Sequence, residues 1–294
     1  MSKGDLEPQE RAHSPQLQIP RGCPVCGESR HSSLYTFEPF AVVRCMNCSL
    51  GYLTPRLSKS TIMDYYMDFK YFEGSNDYGY DNYFLQEAGL RRTFRYFLRV
   101  LSQKGLVGGS LLEIGCGSGF FLDEAEGYFN YRVGTEFCKE LAEKASAYAD
   151  DCIIGGIDAL SRPHRFDIVV AISVIEHVYE PVTFLASIRR YLKDNGAVVL
   201  VTPNLDGAWR HIFKSRWPSF KIPEHVTYFS PKALRCLANA GGFDLVNIFS
   251  FTQLFPLSLI FDKLFVHHVP VWLKHILLPI PGTMVCGIFK NKGG

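Results

Sequence analysis

From residue 110 onward, short apolar runs alternate with segments of helical pattern, and this alternation constrains the fold more than any other feature. The runs SLLEI, YRVGTE, DCIIG, FDIVVAIS and GAVVLVTP have strand length and few charges. Helices are expected near 118–130, 138–149 and 181–193, and another near 231–240 precedes the run FDLVNIFSF. The run TMVCGIF closes the pattern. Near-continuous apolar strands joined by helices make a mostly parallel sheet covered on both faces. The predicted fold class is therefore α/β, a doubly wound sheet, with ligands at the carboxyl ends of its strands.

The stretch LLEIGCGSGF, residues 111–120, sits where the first of these strands turns into a helix. A glycine-rich turn in that position lets a ligand approach the backbone closely. No Gly-Lys-Ser/Thr follows, so it is not a P-loop. The dinucleotide pattern Gly-x-Gly-x-x-Gly also fails, because Phe120 occupies its sixth position. The spacing is Gly115-x-Gly117-x-Gly119, preceded by Glu113. A carboxylate there would repel a pyrophosphate and would suit a cationic ligand.

This stretch resembles the first motif of class I S-adenosylmethionine-dependent methyltransferases. The likeness continues through YRVGTEFCKELAEKA, FDIVVAISVIEHVYEP, GAVVLVTPN and PEHVTYFSPKALRCLANAGGF. The resemblance implies a seven-stranded sheet whose last strand, TMVCGIF, runs antiparallel. It implies S-adenosylmethionine as cofactor, whose ammonium and sulfonium fit the charge preference at Glu113. It places Glu136, which ends the second strand, on the ribose hydroxyls, and Asp158, in GGIDAL, near the adenine. Cys116, Phe137 and Ser173 complete the cofactor-binding set.

Upstream, Cys23 and Cys26 in CPVCG and Cys45 and Cys48 in CMNC form two paired knuckles. Two such knuckles make a four-thiolate zinc site, and four protein ligands leave no open position, so the zinc should be structural. A redox Cys-x-x-Cys is the competing reading, but the thioredoxin-like context is missing. Gly27 suits the turn after the first pair, and Ser49 stands where a second glycine would be usual. A module of about 35 residues has too little core to be stable alone, and a metal compensates. Together with LTPRLSKSTIMDYY, the knuckles resemble the front end of bacterial methyltransferases that act on sugars and other small metabolites.

Four segments follow: a disordered tail over 1–20, a zinc-ribbon-like module over 21–52, an aromatic linker and helix over 53–105, and the methyltransferase domain over 106–294. The helix expected at 85–103 places Leu90, Phe94, Phe97, Leu98 and Leu101 on one face and Arg91, Arg92, Arg95 and Arg99 on the other. The arginine stripe reads as a solvated face more readily than as a phosphate site. Tyr65, Tyr66, Tyr71 and Phe72 are candidates to cover the sulfonium by cation–π contact, against a plainer role in packing the linker. An apolar insertion, 252–281, is read as a lid, a membrane contact or a packed helical insertion.

Two histidines lie past strand ends, where a base would be needed. His177, in SVIEHV, resembles the cluster of ubiquinone-type O-methyltransferases, in which Glu-x-x-Glu-His binds a divalent metal. Here Ser173 stands at the first glutamate, leaving Glu176 and His177. His225, in PEHVTYF, resembles the Glu-His element of zinc-containing sugar C-methyltransferases, with Ile222 at the position of that family's tyrosine. The expectation is that His225 is the acid–base residue, oriented by Glu224, while His177 packs near the cofactor. Trp209 and Trp217 are expected to shape the acceptor pocket.

The expected partner is a small-molecule or glycan-precursor acceptor. A net charge of +2 speaks against a nucleic-acid partner, which weighs against an RNA methyltransferase that grips RNA through its zinc module. The intact Glu113, glycine loop and Glu136 weigh against a non-catalytic protein that keeps the fold for interaction only. A polar N-terminus without an apolar core and nine cysteines without an export signal predict a reduced, cytoplasmic chain. Asp262, Lys263 and Lys274 interrupt the longest apolar stretch, so no transmembrane span is expected.

Overall fold

The computed structural model describes residues 16–73, 83–160, 164–257 and 276–292, with the side chain of Tyr71 also outside the description. Most of the expected tail and the middle of the expected apolar insertion, including Ile260, Phe261, Leu264 and Phe265, therefore lie outside the described residues.

The amino-terminal part contains β1 (Leu17–Gln18), β2 (His31–Phe37), β3 (Phe40–Cys45), β4 (Gly51–Thr54) and β5 (Arg56–Leu57), then α1 (Lys59–Met67) and α2 (Lys70–Glu73). Ser58 caps α1 by accepting a hydrogen bond from the Thr61 amide. Helix α3 (Glu87–Gln103) follows and buries Phe94, Phe97, Leu98 and Leu101. On its opposite face Arg92, Arg95 and Arg99 are exposed, as the sequence suggests, while Arg91 is partly covered. Arg91 pairs with Glu87, Asp123 and Glu124, and Arg95 pairs with Glu124 at 2.8 Å.

The alternating half runs β6 (Ser110–Ile114), α4 (Phe120–Glu124), β7 (Tyr131–Glu136), α5 (Lys139–Ala145), β8 (Asp151–Ile154), β9 (Phe166–Ile172), α6 (Pro181–Arg189), β10 (Leu192–Pro203) and α7 (Ala208–Phe213). It ends with β11 (Thr227–Tyr228), α8 (Pro231–Gly241), β12 (Phe243–Pro256) and β13 (Leu277–Asn291). Ser230 caps α8 through the Ala233 amide, Pro231 opens it, and Gly242 closes it with φ of 78°. Helices α4 and α5 are shorter than expected. A turn at Gly127, with φ of 77°, lies beyond α4.

The large sheet has the order β12-β13-β10-β9-β6-β7-β8. Strands β8, β7, β6, β9 and β10 are mutually parallel, and β13 runs antiparallel to both of its neighbours. This is the doubly wound, seven-stranded sheet expected, with the antiparallel strand where it was anticipated. One core layer joins α6 and α8 to one face of the sheet, and a second joins α3 and α4 to the other.

Cys45 ends β3 of a second sheet of order β11-β4-β3-β2, Cys48 lies in the turn that follows, and Cys23 and Cys26 precede β2. The fourth strand of this sheet, β11, comes from the far end of the chain, so the amino-terminal sheet is completed by residues 227–228. Cys23, Val25, Cys45, Cys48, Leu50 and Tyr52 share a continuous buried layer with Phe229, Leu234 and Leu237 of the larger half.

Phe97 is 2% exposed and meets Phe251 edge to face at 4.9 Å, tying α3 to β12. Phe97→Ala should lower the unfolding free energy by about 3–5 kcal/mol, as expected when a buried aromatic leaves a cavity. Urea titration checks this, and a loss below about 1 kcal/mol would show that α3 is not part of the main core.

Candidate active site

The carboxyl ends of β6, β7 and β9 open onto a cavity of about 410 Å³. The β6–β7–β9 register aligns Glu113 with Gly134 and Val170, and Ile114 with Thr135 and Ala171. The loop after β6 therefore stands beside the ends of its two neighbours. Gly115 and Cys116 both donate their amides to the Thr135 carbonyl, at 2.8 and 3.0 Å. Gly115 and Gly117 have φ of 68° and 54°, and a Cβ on Gly117 would lie 2.7 Å from the Tyr83 hydroxyl. Only glycine fits that turn without strain.

Glu113, Gly115, Cys116, Gly117, Glu136, Phe137, Asp158 and Ser173 all line the cavity. Gly119 does not. A Cβ there would meet Ala145 at 2.8 Å, so Gly119 serves the close approach of α4 to α5. Glu113 is 3% exposed, and its Oε2 has no hydrogen-bond partner among the described residues. Burial first, and then the nearby Glu136, push its carboxyl well above the usual range. A cation against Oε2 would relieve that burial penalty, which is the property expected of a site for a ligand bearing an ammonium. Burial also raises Glu136, opposed by the amides of Cys138 and Gly117 on its two oxygens at 3.0 and 2.9 Å.

The two histidines come together, and their placement differs. His177 lines the cavity, and among the described lining residues His225 is absent. His225 lies behind it, with ring centroids 4.6 Å apart. The Nδ1 of His225 meets the Ser219 carbonyl at 2.8 Å. Glu224 contributes its backbone to the other histidine. The Nδ1 of His177 lies 2.7 Å from the Tyr66 hydroxyl and 3.2 Å from the Glu224 carbonyl, and that hydroxyl donates to the same carbonyl at 3.2 Å. Nδ1 either donates to the Glu224 carbonyl or accepts from the Tyr66 hydroxyl, and in both tautomers these contacts hold the ring in one orientation. Burial pushes the His177 imidazole down to about 3, and burial with the adjacent His177 holds His225 well below its ordinary value.

Glu176 joins this pair. Ligand atoms of Glu176, His177 and His225 lie within 4.8 Å of one another. Thr202 donates to Oε2 of Glu176 at 3.0 Å, and burial pushes the Glu176 carboxyl up to about 7. The spacing around Ser173 gave no hint of this, because the third member arrives from residue 225.

Tyr66 and Phe72 reach the cavity, whereas Tyr65 packs against buried residues beside it. Neither Trp209 nor Trp217 is among the described lining residues. Trp217 is buried against the cysteine-bearing sheet with Val42, Leu53 and Tyr228, and Trp209 donates to the Pro281 carbonyl at 2.7 Å. Sequence reading missed Tyr83, Thr135 and Tyr179 in the wall. Tyr83 was visible only as one aromatic among many in an aromatic-rich stretch.

The methyltransferase-domain family matches residues 85–248, more than half of the chain. The chain belongs to that family. This methyltransferase is 29% identical over 166 residues to a ubiquinone biosynthesis O-methyltransferase of Bradyrhizobium diazoefficiens, covering 50% of the chain and 64% of the relative. It is 32% identical over 134 residues to the mitochondrial ubiquinone biosynthesis O-methyltransferase of Schizosaccharomyces pombe, covering 42% and 46%. The match thus spans less than two thirds of either relative's length. A solved S-adenosylmethionine-dependent methyltransferase from Thermotoga maritima superposes with a TM-score of 0.54 at 18% identity, covering 79% of this chain and 100% of that one. Class I methyltransferase architecture is therefore the fold of this protein, and S-adenosylmethionine is the donor that the family implies.

Glu136→Ala should weaken S-adenosylmethionine binding by roughly 2–3 kcal/mol, the loss expected for charge-assisted hydrogen bonds to hydroxyls. Calorimetry on the folded variant measures it, and an unchanged dissociation constant would remove Glu136 from the site.

Proposed function

We propose that this protein transfers a methyl group from S-adenosylmethionine to a small-molecule acceptor. The observation that carries the proposal is a single cavity in which the unpartnered Glu113 carboxylate, the glycine loop and Glu136 face the same space as His177. Glu113 would hold the cationic amino end of the donor, Glu136 its ribose and Asp158 its adenine. Bound there, the donor supplies an electrophilic methyl on a sulfonium. The protein's task is then to orient an acceptor, exclude water and take up a proton.

Of the two histidines, His177 faces the acceptor's space, and with its pKa held down to about 3 it acts as a weak base suited to an acceptor hydroxyl that is already acidic. The contacts of Nδ1 with the Glu224 carbonyl and the Tyr66 hydroxyl fix its ring. Tyr66 thereby acts as a positioning residue, in place of the sulfonium cover expected from its aromatic character. Ile62, Met63, Leu90, Phe94 and Phe251 give the rest of the cavity an apolar wall. That wall favours an acceptor with an apolar body over a glycan precursor. The names of the two relatives, both O-methyltransferases, support oxygen as the acceptor atom. Among the described residues no helix is long and apolar enough to cross a membrane.

His177→Ala should lower single-turnover methyl transfer roughly 10²–10⁴-fold, the range for a general base, with donor affinity nearly intact. His225→Ala should slow transfer less. Acceptors are found by screening metabolites with labelled donor. Full turnover in His177→Ala, or a parallel loss of donor binding, would return His225 to first place.

We further propose that Cys23, Cys26, Cys45 and Cys48 hold a structural zinc. The Sγ atoms of Cys23 and Cys48 are 3.4 Å apart, and those of Cys26 and Cys45 are 3.5 Å apart. A tetrahedral site with Zn–S near 2.3 Å requires sulfurs about 3.8 Å apart, so small adjustments accommodate the metal. The knuckle turns favour this. Gly27 and Ser49 return their amides to Cys23 and Cys45, and Ser49 takes the positive φ of 64° that a glycine would hold more easily. Protein purified without added zinc should contain about one zinc per chain. A Cys23→Ser, Cys45→Ser double variant holding as much zinc would disprove the assignment.

A further inference from the structure

Cys116 belongs to the glycine loop and lines the cavity, and its thiol, 3.8 Å from the Gly117 carbonyl, also reaches over Gly134 of β7. Its Sγ lies 3.8 Å from the Sγ of Cys152. The contact exists because of Gly134. In the parallel register Gly134 is the partner of Cys152, and a Cβ on Gly134 would fall 2.7 Å from the Cys116 sulfur. A larger residue at 134 would fill the space through which the two thiols meet.

The two thiols differ in environment. Cys116 is 4% exposed, while Cys152 is only half-buried. The hydrogen bond from Cys116 lowers the Cys152 thiol, and the same bond, followed by burial, raises Cys116. Cys152 is thus the accessible nucleophile and Cys116 the neighbour poised to resolve it.

We infer that Cys116 and Cys152 form an oxidation site for hydroperoxides, and that closing it as a disulfide weakens donor binding. The inference rests on the donor site proposed above. The Cys152 thiolate attacks one oxygen of the peroxide, the O–O bond breaks, and a sulfenic acid forms with release of hydroxide. The Cys116 sulfur then attacks that sulfenic sulfur. The S–S bond forms, the S–O bond breaks, and the departing hydroxide leaves as water with the Cys116 proton. Two thiols and one hydrogen peroxide give one disulfide and two waters.

Bond formation must bring the sulfurs from 3.8 Å to about 2.05 Å. Cys116 precedes Gly117, whose amide holds Glu136 Oε2 at 2.9 Å. Cys116 also holds the Thr135 carbonyl at 3.0 Å through its own amide. Drawing the Cys116 side chain toward β8 therefore displaces the turn that sets Gly115, Gly117 and Glu136 relative to one another.

The test uses the full chain with its metal retained. The protein is treated with hydrogen peroxide, free thiols are blocked with N-ethylmaleimide, and peptides are mapped by mass spectrometry without reduction. In parallel, S-adenosylmethionine affinity is measured by calorimetry on reduced, oxidised and dithiothreitol-recovered samples. The expected result is a peptide pair linked through Cys116 and Cys152, a donor affinity at least tenfold weaker, and recovery on reduction. Cys152→Ser should bind donor like the parent and keep that affinity after peroxide. Absence of the linked pair, or a linked pair with unchanged affinity, overturns the inference. Failure of the reduced parent to bind donor would instead sink the donor site, while the mass map still decides whether this pair oxidises.

Discussion

The placement of β6 between β7 and β9 is the constraint on which the rest of the site depends. That pairing puts three strand ends at one edge of the sheet, so that the loop after β6 is flanked by Glu136 on one side and Ser173 on the other. A slip of one residue in β6 would turn Glu113 to the opposite face and remove the buried carboxylate from the cavity. Burial of that carboxylate without a protein partner is unfavourable, and the surrounding apolar strands enforce it. The sheet thus holds an arrangement that a cationic ligand would stabilise.

A second constraint links the amino-terminal module to the chemistry. Residues 224–228 are suspended between two edges. The Val226 amide donates to the Glu176 carbonyl at 2.9 Å, and its carbonyl accepts from the Leu53 amide at 3.0 Å. Thr227 adds a hydrogen bond from Oγ1 to the Ile175 carbonyl, and β11 pairs with β4. These bonds fix the backbone carbonyl of Glu224 beside His177 and stack His225 behind it. Helix α1, which follows the module directly, brings Tyr66 to the same point. The four-cysteine sheet therefore does more than stabilise a small appendage. It supplies an edge for the segment that orients the histidines.

Sequence alone determined the large architecture. Apolar runs of strand length separated by helices leave little alternative to a parallel sheet, because each strand must be covered on both faces. The position of the glycine loop and the approach of the four cysteines were readable, since each depends on residues close in the chain or on fixed spacing, whereas the antiparallel last strand was implied only by the family resemblance. Part of the cavity wall was readable too: Glu113, Gly115, Gly117, Glu136 and Asp158 all lie at or just past the carboxyl ends of strands. Gly119 was read as cofactor-binding because spacing cannot separate a glycine that admits a ligand from one that admits a helix.

Only the tertiary structure decided which histidine faces the cavity. His177 and His225 both follow strand ends, and the resemblance carried by their local patterns favoured His225 for the position that His177 occupies. The difference arises from hydrogen bonds between segments far apart in the chain, Glu176 with Val226 and Val226 with Leu53, which press the His225 ring behind that of His177. The meeting of Cys116 with Cys152 has the same character. It is set by strand register across Gly134, a property of three neighbouring strands that no single stretch of sequence encodes.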